Sequence, residues 1–262
     1  MSKKDIRIAN MEQLLHDKGI VRVKEMAQLL DVSEMTIRRD VQQLERAGRV
    51  KNLNGMLFPA DDNPFDIICQ KYDLQVQSKA QNKKKCAIGK FAASQISSGD
   101  SIMLDIGSSI EQVAQHISRD IKIDALCLTL NTLLSMLNKP LATTALAGGY
   151  YQAGTQIFLS DEGISFIRGV RADKLFLSAA GIHESLGISC ANPHEVVAKK
   201  AMLQSSRYHI LVADSSKFGA VRSSYFCDLD VIDEIITDDG LPEAWVKLIE
   251  DRGIVLHCVP IK

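Results

Sequence analysis

The sequence predicts an α/β protein in two parts. A small helical unit ending in a two-stranded ribbon comes first, and a larger domain built on a largely parallel sheet follows. Three observations predict this. Apolar residues recur at helical spacing through the first 48 residues. From residue 101 onward short apolar runs alternate with helical stretches, the pattern of a parallel sheet covered on both faces. Between the two lies Phe58-Pro59-Ala60-Asp61-Asp62-Asn63-Pro64, broken twice by proline.

The first helix is expected over residues 6–16, with Ile8, Met11, Leu14 and Leu15 on one face and Gly19 as its stop. Residues 23–30 make a second short helix, and Asp31-Val32-Ser33 a tight turn. Ser33 is placed to cap the third helix, because its hydroxyl accepts from a first-turn amide that lacks a helical partner. Ile37, Val41 and Leu44 form the apolar face of that helix, so Met35, Thr36, Arg38 and Arg39 point elsewhere. A helix, a turn and a second helix with outward arginines is the geometry that enters a DNA major groove. Arginine there pairs bidentately with guanine edges. After Ala47-Gly48, residues 49–57 alternate and turn, which makes a wing whose basic residues touch backbone phosphates. The DNA-reading candidates are therefore Ser33, Met35, Thr36, Arg38, Arg39, Arg49 and Lys51.

Charge agrees with that assignment. Residues 1–57 hold 11 Lys and Arg against 8 Asp and Glu, and the remainder 20 against 24, which together give the net −1. The basic excess lies on the part expected to meet phosphates. The expected boundaries are a winged helix-turn-helix over 1–57, a linker over 58–78 and a second domain over 79–262.

The second domain opens with a helix over 79–96 that carries Lys83-Lys84-Lys85. A solvated helix start is the plain explanation of those lysines, and a DNA contact is the other. Strands are expected at 101–104, 124–129, 143–146, 174–177, 208–212, 231–236 and 254–258. Helices are expected at 110–117, 132–137, 194–205 and 242–251, with a long loop after residue 177.

Polar residues collect at the carboxyl ends of these strands. Asp105-Ile106-Gly107-Ser108-Ser109 follows the first, Leu130-Asn131-Thr132 the second, Ala147-Gly148-Gly149 the third and Ser178-Ala179-Ala180-Gly181 the fourth. Ala213-Asp214-Ser215-Ser216-Lys217 and Thr237-Asp238-Asp239 follow later strands. Ligands of open α/β sheets bind beyond these ends, where helix N-termini present amides and hydroxyls to anions. Lys199 and Lys217 add positive charge, while Asp105, Glu195 and Asp214 accept from sugar hydroxyls or orient the lysines. The chemistry suits a small phosphorylated polyol. Ordinary βα turns favour the same residue types, so the argument rests on several such turns meeting on one edge. The candidate set is Asp105, Gly107, Ser108, Ser109, Asn131, Thr132, Gly148, Gly149, Gly181, Glu195, Lys199, Asp214 and Lys217.

Bulk properties exclude other classes. A hydrophobic content of 46% supports a real core and argues against disorder. No apolar run reaches the length of a membrane span, and the polar start Met1-Ser2-Lys3-Lys4-Asp5 lacks the pattern of a secretion signal. Cys69, Cys86, Cys127, Cys190, Cys227 and Cys258 are scattered without a C-x-x-C pair, so reduced thiols in a cytoplasmic protein are expected. His183 and His194 share one loop without the spacing of a metal site. Neither a metal nor a cofactor is expected.

These motifs together resemble the DeoR family of bacterial transcription regulators along nearly the whole chain. Residues 32–40, Val-Ser-Glu-Met-Thr-Ile-Arg-Arg-Asp, are similar to the family's recognition-helix signature. Asp105-Ile106-Gly107-Ser108-Ser109 is similar to its Asp-x-Gly-Thr-Thr loop, and Gly148-Gly149, Glu195 with Lys199, residues 213–219 and residues 237–240 fit its later motifs. The resemblance implies a winged helix-turn-helix joined to a sugar-phosphate sensor whose fold is shared with ribose-5-phosphate isomerase and CoA transferases. Departures are visible. Ser108-Ser109 keeps the hydroxyls of Thr-Thr, Leu130-Asn131-Thr132 loses one hydroxyl of Thr-Asn-Ser, and Asn54-Gly55-Met56 replaces a wing His-Gly-Gly. Leu130-Asn131-Thr132, Lys139-Pro140 and residues 178–183 most resemble the branch that represses deoxyribonucleoside operons, which implies deoxyribose 5-phosphate as effector.

The expected function is repression of a sugar or nucleoside catabolic operon, tuned by a phosphorylated sugar. Its partner is double-stranded operator DNA, and a homo-oligomer, dimer or higher, matches paired half-sites. The alternative is a sugar-phosphate isomerase or CoA-transferase-like enzyme with a DNA-binding appendage. Glu195 or Asp105 would then be the base, and Lys199 or Lys217 the phosphate or oxyanion partner. An isomerase has no need of the first 57 residues, so a protein that is not an enzyme, with no catalytic residues, is the expectation.

Overall fold

The computed structural model describes residues 3–18, 21–53, 56–59 and 82–261. The chain divides into two compact units, Met1–Lys71 and Tyr72–Lys262. Residues 60–78 of the expected linker and the wing tip Asn54-Gly55 lie outside the described residues.

The first unit runs α1 (Lys3–Lys18), β1 (Val21–Arg22), α2 (Val23–Leu29), α3 (Glu34–Arg46), β2 (Val50–Leu53) and β3 (Met56–Pro59). The three helices expected from periodicity are present. The turn between α2 and α3 places Asp31 at φ 50°, a left-handed conformation that Asp tolerates better than most residues. Met11 and Leu15 of α1, Met26 of α2 and Ile37, Val41 and Leu44 of α3 close one core with Val50 and Leu57. The wing differs from expectation in two ways. It has three strands in the order β1-β3-β2, all antiparallel, because the two residues before α2 pair with β3. A two-residue strand is too short to show any alternation. The ribbon also runs to Pro59, two residues into the expected linker, with Pro59 opposite Val50 at the end of β3, beyond the two residues that pair with β1.

The second unit is organised around seven parallel strands. They are β4 (Ser101–Leu104), β5 (Ile123–Cys127), β6 (Ala142–Leu146), β9 (Ala172–Leu177), β12 (Ser206–Val212), β14 (Glu234–Asp238) and β15 (Val255–Val259). Their order is β15-β14-β12-β9-β4-β5-β6. Chain direction along the sheet reverses between β4 and β9, so this is the topological switch point.

Side chains alternate across the sheet as the pleat requires. Ile102, Leu104, Phe176, Ile210 and Val212 face one core, closed by α4 (Asn82–Ser94), α5 (Ser108–His116) and α6 (Leu130–Leu137). Met103, Leu175, Leu177 and Leu211 face the other, closed by α7 (Asp161–Gly169), α8 (Glu195–Ser205) and α9 (Glu243–Asp251).

Several boundaries depart from the sequence expectation. The second strand ends at Cys127 rather than residue 129, because the chain then bends to meet β8 (Ile157–Leu159), with Phe158 N donating to Leu128 O at 2.9 Å. The expected strand at 231–236 is β14, shifted to start at Glu234, and Leu229–Val231 is a 3-10 turn. The long loop after residue 177 contains β10 (Gly181–His183) and β11 (Gly187–Cys190), which form an antiparallel sheet with β13 (Ser224–Cys227). Helix α7 and the hairpin of β7 (Tyr150–Gln152) with β8 were not anticipated. The cap of α7 was nevertheless written in the sequence, since Ser160 Oγ accepts from Gly163 N at 3.0 Å ahead of buried Ile164 and Ile167.

Candidate functional site

The α3 surface follows from its cap and its apolar stripe. Ser33 Oγ accepts from Thr36 N at 3.2 Å and shares a 2.9 Å hydrogen bond with Thr36 Oγ1. Such a cap stabilises a helix by about 1 kcal/mol. With Ile37, Val41 and Leu44 buried, Met35, Arg38 and Arg39 are left exposed, Met35 to 70%. Exposure of an apolar side chain beside two arginines suits contact with thymine methyls and guanine edges. Arg38 Nη2 rests 3.8 Å from Glu34 Oε2, a loose pair one turn away. Arg49 is held by Glu12 of α1, Nη2 to Oε2 at 2.5 Å, while its side chain stays half exposed. Lys51 lies on β2 opposite Phe58, and its side chain lies outside the described residues.

One polar residue on α3 turns inward. Asp40 is buried and accepts from Arg7 Nε at 2.6 Å. That ion pair ties α1 to the underside of α3 and holds the angle of the exposed face. Local pattern gave no sign of it.

The second cluster lies at the switch point of the large sheet. Asp105, just past β4, and Ser178, just past β9, meet across the gap. Asp105 Oδ2 accepts from Ser178 N at 2.8 Å and from Ser178 Oγ at 3.1 Å. It also accepts from Lys199 Nζ, whose other hydrogen bonds go to Ser178 O at 3.2 Å and Oγ at 3.3 Å. Asp105 and Lys199 have no solvent-exposed side-chain surface beyond 1%. Burial works against a charge on Lys199, but Asp105, Glu195 and Cys190 outweigh it and raise the ammonium pKa. Glu195 begins α8 and is nearly buried, and burial above all pushes its carboxyl up to about 7 against the pull of Lys199. The three groups thus hold one ion pair and one carboxyl poised near neutrality.

Polar atoms without partners occur on this cluster itself, on Asn192 just ahead of α8 and on Asn131 in α6, past the neighbouring strand β5. Asp105 Oδ1, Glu195 Oε1, Asn192 Nδ2 and both amide atoms of Asn131 are buried and make no hydrogen bond. Buried polar groups are almost always paired, so such a gathering asks for a ligand or ordered water. Gly107, at φ 119°, turns the chain from β4 into α5 and offers no capping side chain to the first-turn amides beside buried Ser108 and Ser109.

Other candidates are placed differently. Thr132 spends its hydroxyl within the first turn of α6, on Thr129 Oγ1 at 2.8 Å and Thr129 O at 3.0 Å. Gly149 and Gly181 sit where a Cβ would strike backbone, 2.4 Å from Leu159 O and 2.6 Å from Ala220 O, which accounts for glycine by packing. Gly148 has an open surrounding at φ 79°.

Asp214 caps the 3-10 turn Ser215–Lys217, and its Oδ1 accepts from Ser216 while Oδ2 is buried without a partner. Asp214 and Lys217 both act electrostatically on Lys85, whose ammonium burial and Lys217 together lower in pKa against Asp214. Six strand ends, from β14 to β6, span roughly 24 Å at the usual strand spacing. That is farther than one sugar phosphate reaches, so the candidate set divides between the switch point and the β12–β14 side.

The lysine run is where expectation fails. Lys83 alone is exposed. Lys84 Nζ lies 2.8 Å from Asp238 Oδ2 and 2.9 Å from Ser215 Oγ, and Lys85 is buried to 3% exposure. Burial opposes ionisation of Asp238, yet hydrogen bonds from Lys84, Ser215 and Gly240 N hold its carboxyl below the usual range. The start of α4 is thus built into the strand ends rather than solvated. Ser178, Asn192 and Lys84 are the residues that sequence reasoning left out of the site. Only their position after a strand or before a helix pointed to them.

Residues 7–61 match the family model described as the DeoR-like helix-turn-helix domain, and residues 80–239 the DeoR C terminal sensor domain. The deoxyribose operon repressor of Escherichia coli K12 is 31% identical over 97% of this chain and 98% of its own length. The HTH-type transcriptional regulator YgbI of the same strain is 32% identical over 93% of each. Among solved structures, ribose 5-phosphate isomerase from Methanocaldococcus jannaschii matches 51% of this chain and 53% of its own, with 12% identity and a TM-score of 0.38. A likeness that distant bears on neither substrate nor activity. Recognition helix, wing and strand-end loops occur here in one chain, matched by both family models and by relatives over nearly full length, and the chain belongs to the DeoR family of DNA-binding transcription regulators.

Proposed function

We propose that the protein is a repressor of a sugar or nucleoside catabolic operon whose hold on DNA is tuned by a phosphorylated sugar bound at the switch point. The observation that carries this is the set of unpartnered buried polar atoms on Asp105, Asn131, Asn192 and Glu195. Asp105 and Glu195 would accept from sugar hydroxyls, Asn131 and Asn192 would donate, and the first-turn amides of α5 with Ser108 and Ser109 would hold the phosphate. Asp214 and Lys217, past β12 and two strands away from β4, would join the site of a ligand that extends across β9. Deoxyribose 5-phosphate is the first effector to try, because the relative above is named for the deoxyribose operon. The winged unit over residues 1–59 reads the operator, with α3 on base edges and the wing on phosphates, and residues 60–78 connect it to the sensor. A homodimer presents two such helices to paired half-sites.

A thermal-shift panel of sugar phosphates tests the assignment. A true effector at 100 times its dissociation constant adds about 2.7 kcal/mol to stability, and Asp105→Asn should lose most of that gain. The idea fails if no phosphorylated sugar raises Tm, or if Asp105→Asn responds as wild type does. The protonation state of Glu195 beside Lys199 also suits proton transfer, so prolonged incubation with ribose 5-phosphate is the companion measurement. Turnover abolished by Glu195→Gln would favour the enzyme instead.

A further inference from the structure

Cys86 of α4 and His116 at the end of α5 form a pair that the DNA and effector sites do not use. Cys86 Sγ lies 3.7 Å from His116 Nε2, and His116 Nδ1 lies 2.8 Å from Gln112 O. A carbonyl oxygen only accepts, so in the neutral imidazole Nδ1 carries the proton and Nε2 turns its lone pair to the thiol. A nucleophile, a base and a third group that orients the base is the arrangement of an activated thiol.

Cys86 borders an open groove of about 720 Å³, lined also by Lys83, Lys90, Phe91 and Pro260. Lys83 and Lys90 are both exposed there. The other cysteines of the described residues are set apart. Burial pushes the thiols of Cys127, Cys190 and Cys227 up to about 12. Cys258 is exposed, yet partial burial of its thiol and the carboxylates of Asp238, Asp239 and Glu250 raise it as well.

We propose that Cys86 is a modification site for small disulfides that carry carboxylates. The Cys86 sulfur attacks one sulfur of the small disulfide as His116 Nε2 takes the thiol proton. The old S–S bond breaks, Cys86 keeps a mixed disulfide, and the departing half leaves as a thiolate that collects the proton from His116. One thiol and one disulfide enter, and one thiol and one disulfide leave. Lys83 and Lys90 draw the carboxylates, and the groove holds the attached half against Phe91.

The test uses the reduced full-length protein with two probes, dianionic dithiobis(nitrobenzoate) and neutral dithiodipyridine. Absorbance follows the released thiol, and peptide mass mapping assigns the modified cysteine. Cys86 should react at least about tenfold faster than Cys258, and His116→Asn should slow Cys86 by about tenfold or more, the low end of general-base effects. Lys83→Gln with Lys90→Gln should slow the dianionic probe and leave the neutral one unchanged. The proposal is overturned if Cys86 reacts no faster than Cys258, or if folded His116→Asn keeps the wild-type rate. If His116→Asn does not fold, the exposed lysine pair decides, and equal slowing or no slowing of both probes overturns it.

Discussion

Glu195→Gln should change how the stability of the sensor domain depends on pH. The carboxyl is 4% exposed, and burial raises its pKa from 4.5 in a free side chain to about 7 in the fold. Folding therefore takes up a proton between those two values. The contribution of this group is fully present below about pH 4.5 and is lost as pH rises through about 7. At about 1.36 kcal/mol per pKa unit, the part of that window between about pH 5 and pH 8 is worth ~2.5 kcal/mol. Glutamine does not ionise, so the variant should gain on wild type by that amount over the same interval. A domain of this size shifts by roughly 2–4 °C per kcal/mol, which puts the relative change at about 5–10 °C in Tm. Calorimetry of both proteins at the two pH values and one ionic strength measures it. Other titrating groups cancel in the difference. Parallel Tm-against-pH curves would refute the reasoning, since they would mean that the Glu195 carboxyl titrates alike in the folded and unfolded chain.

Three further outcomes follow from the geometry. Lys199→Met leaves Asp105 buried without its cation and should cost about 3–5 kcal/mol in denaturant unfolding, while Asp105→Leu with Lys199→Met should recover most of it; additive losses would show that the two do not form a coupled pair. Ser33→Ala should lower the stability of the winged unit by about 1 kcal/mol, read as a lower urea midpoint with unchanged slope. Arg38→Ala should weaken operator binding by about 1–3 kcal/mol with a smaller effect on random DNA, and equal loss on both would make Arg38 a phosphate contact.

How far the sequence revealed all this depended on the distance between partners. The outward face of α3 was legible because Ile37, Val41 and Leu44 fix its rotation within one helix. Asp40 on the same helix was not, because Arg7 meets it from 33 residues away. Asp105 and Lys199 were picked out by their places at strand and helix ends, but their bond across 94 residues was invisible. A run of three lysines reads as solvated until Asp238 and Ser215 arrive from the far end of the sheet to meet Lys84. Gly149 and Gly181 are ambiguous in the opposite sense. Glycine is called for there by backbone approach from Leu159 and Ala220, a demand that looks the same in sequence as a ligand-binding loop. Strands β10, β11 and β13 were missed because they are short and fully or partly buried without alternation.

The pairing of β4 with β9 has a consequence for how the sensor domain comes together. Ile102 lies opposite Lys174, so this seam joins strands separated by the whole excursion through β5 and β6, α6 and α7. The entropy of closing so long a loop must be met before the seam gives anything back, which marks it as a late step in assembly and an early place to part under stress. Asp105 and Ser178 fasten its carboxyl end. A small molecule bridging these two strand ends would act as a clasp on the longest-range strand pairing of the seven-stranded sheet, so occupancy would be felt as resistance of two half-sheets to parting, a change that reaches far beyond the atoms it touches.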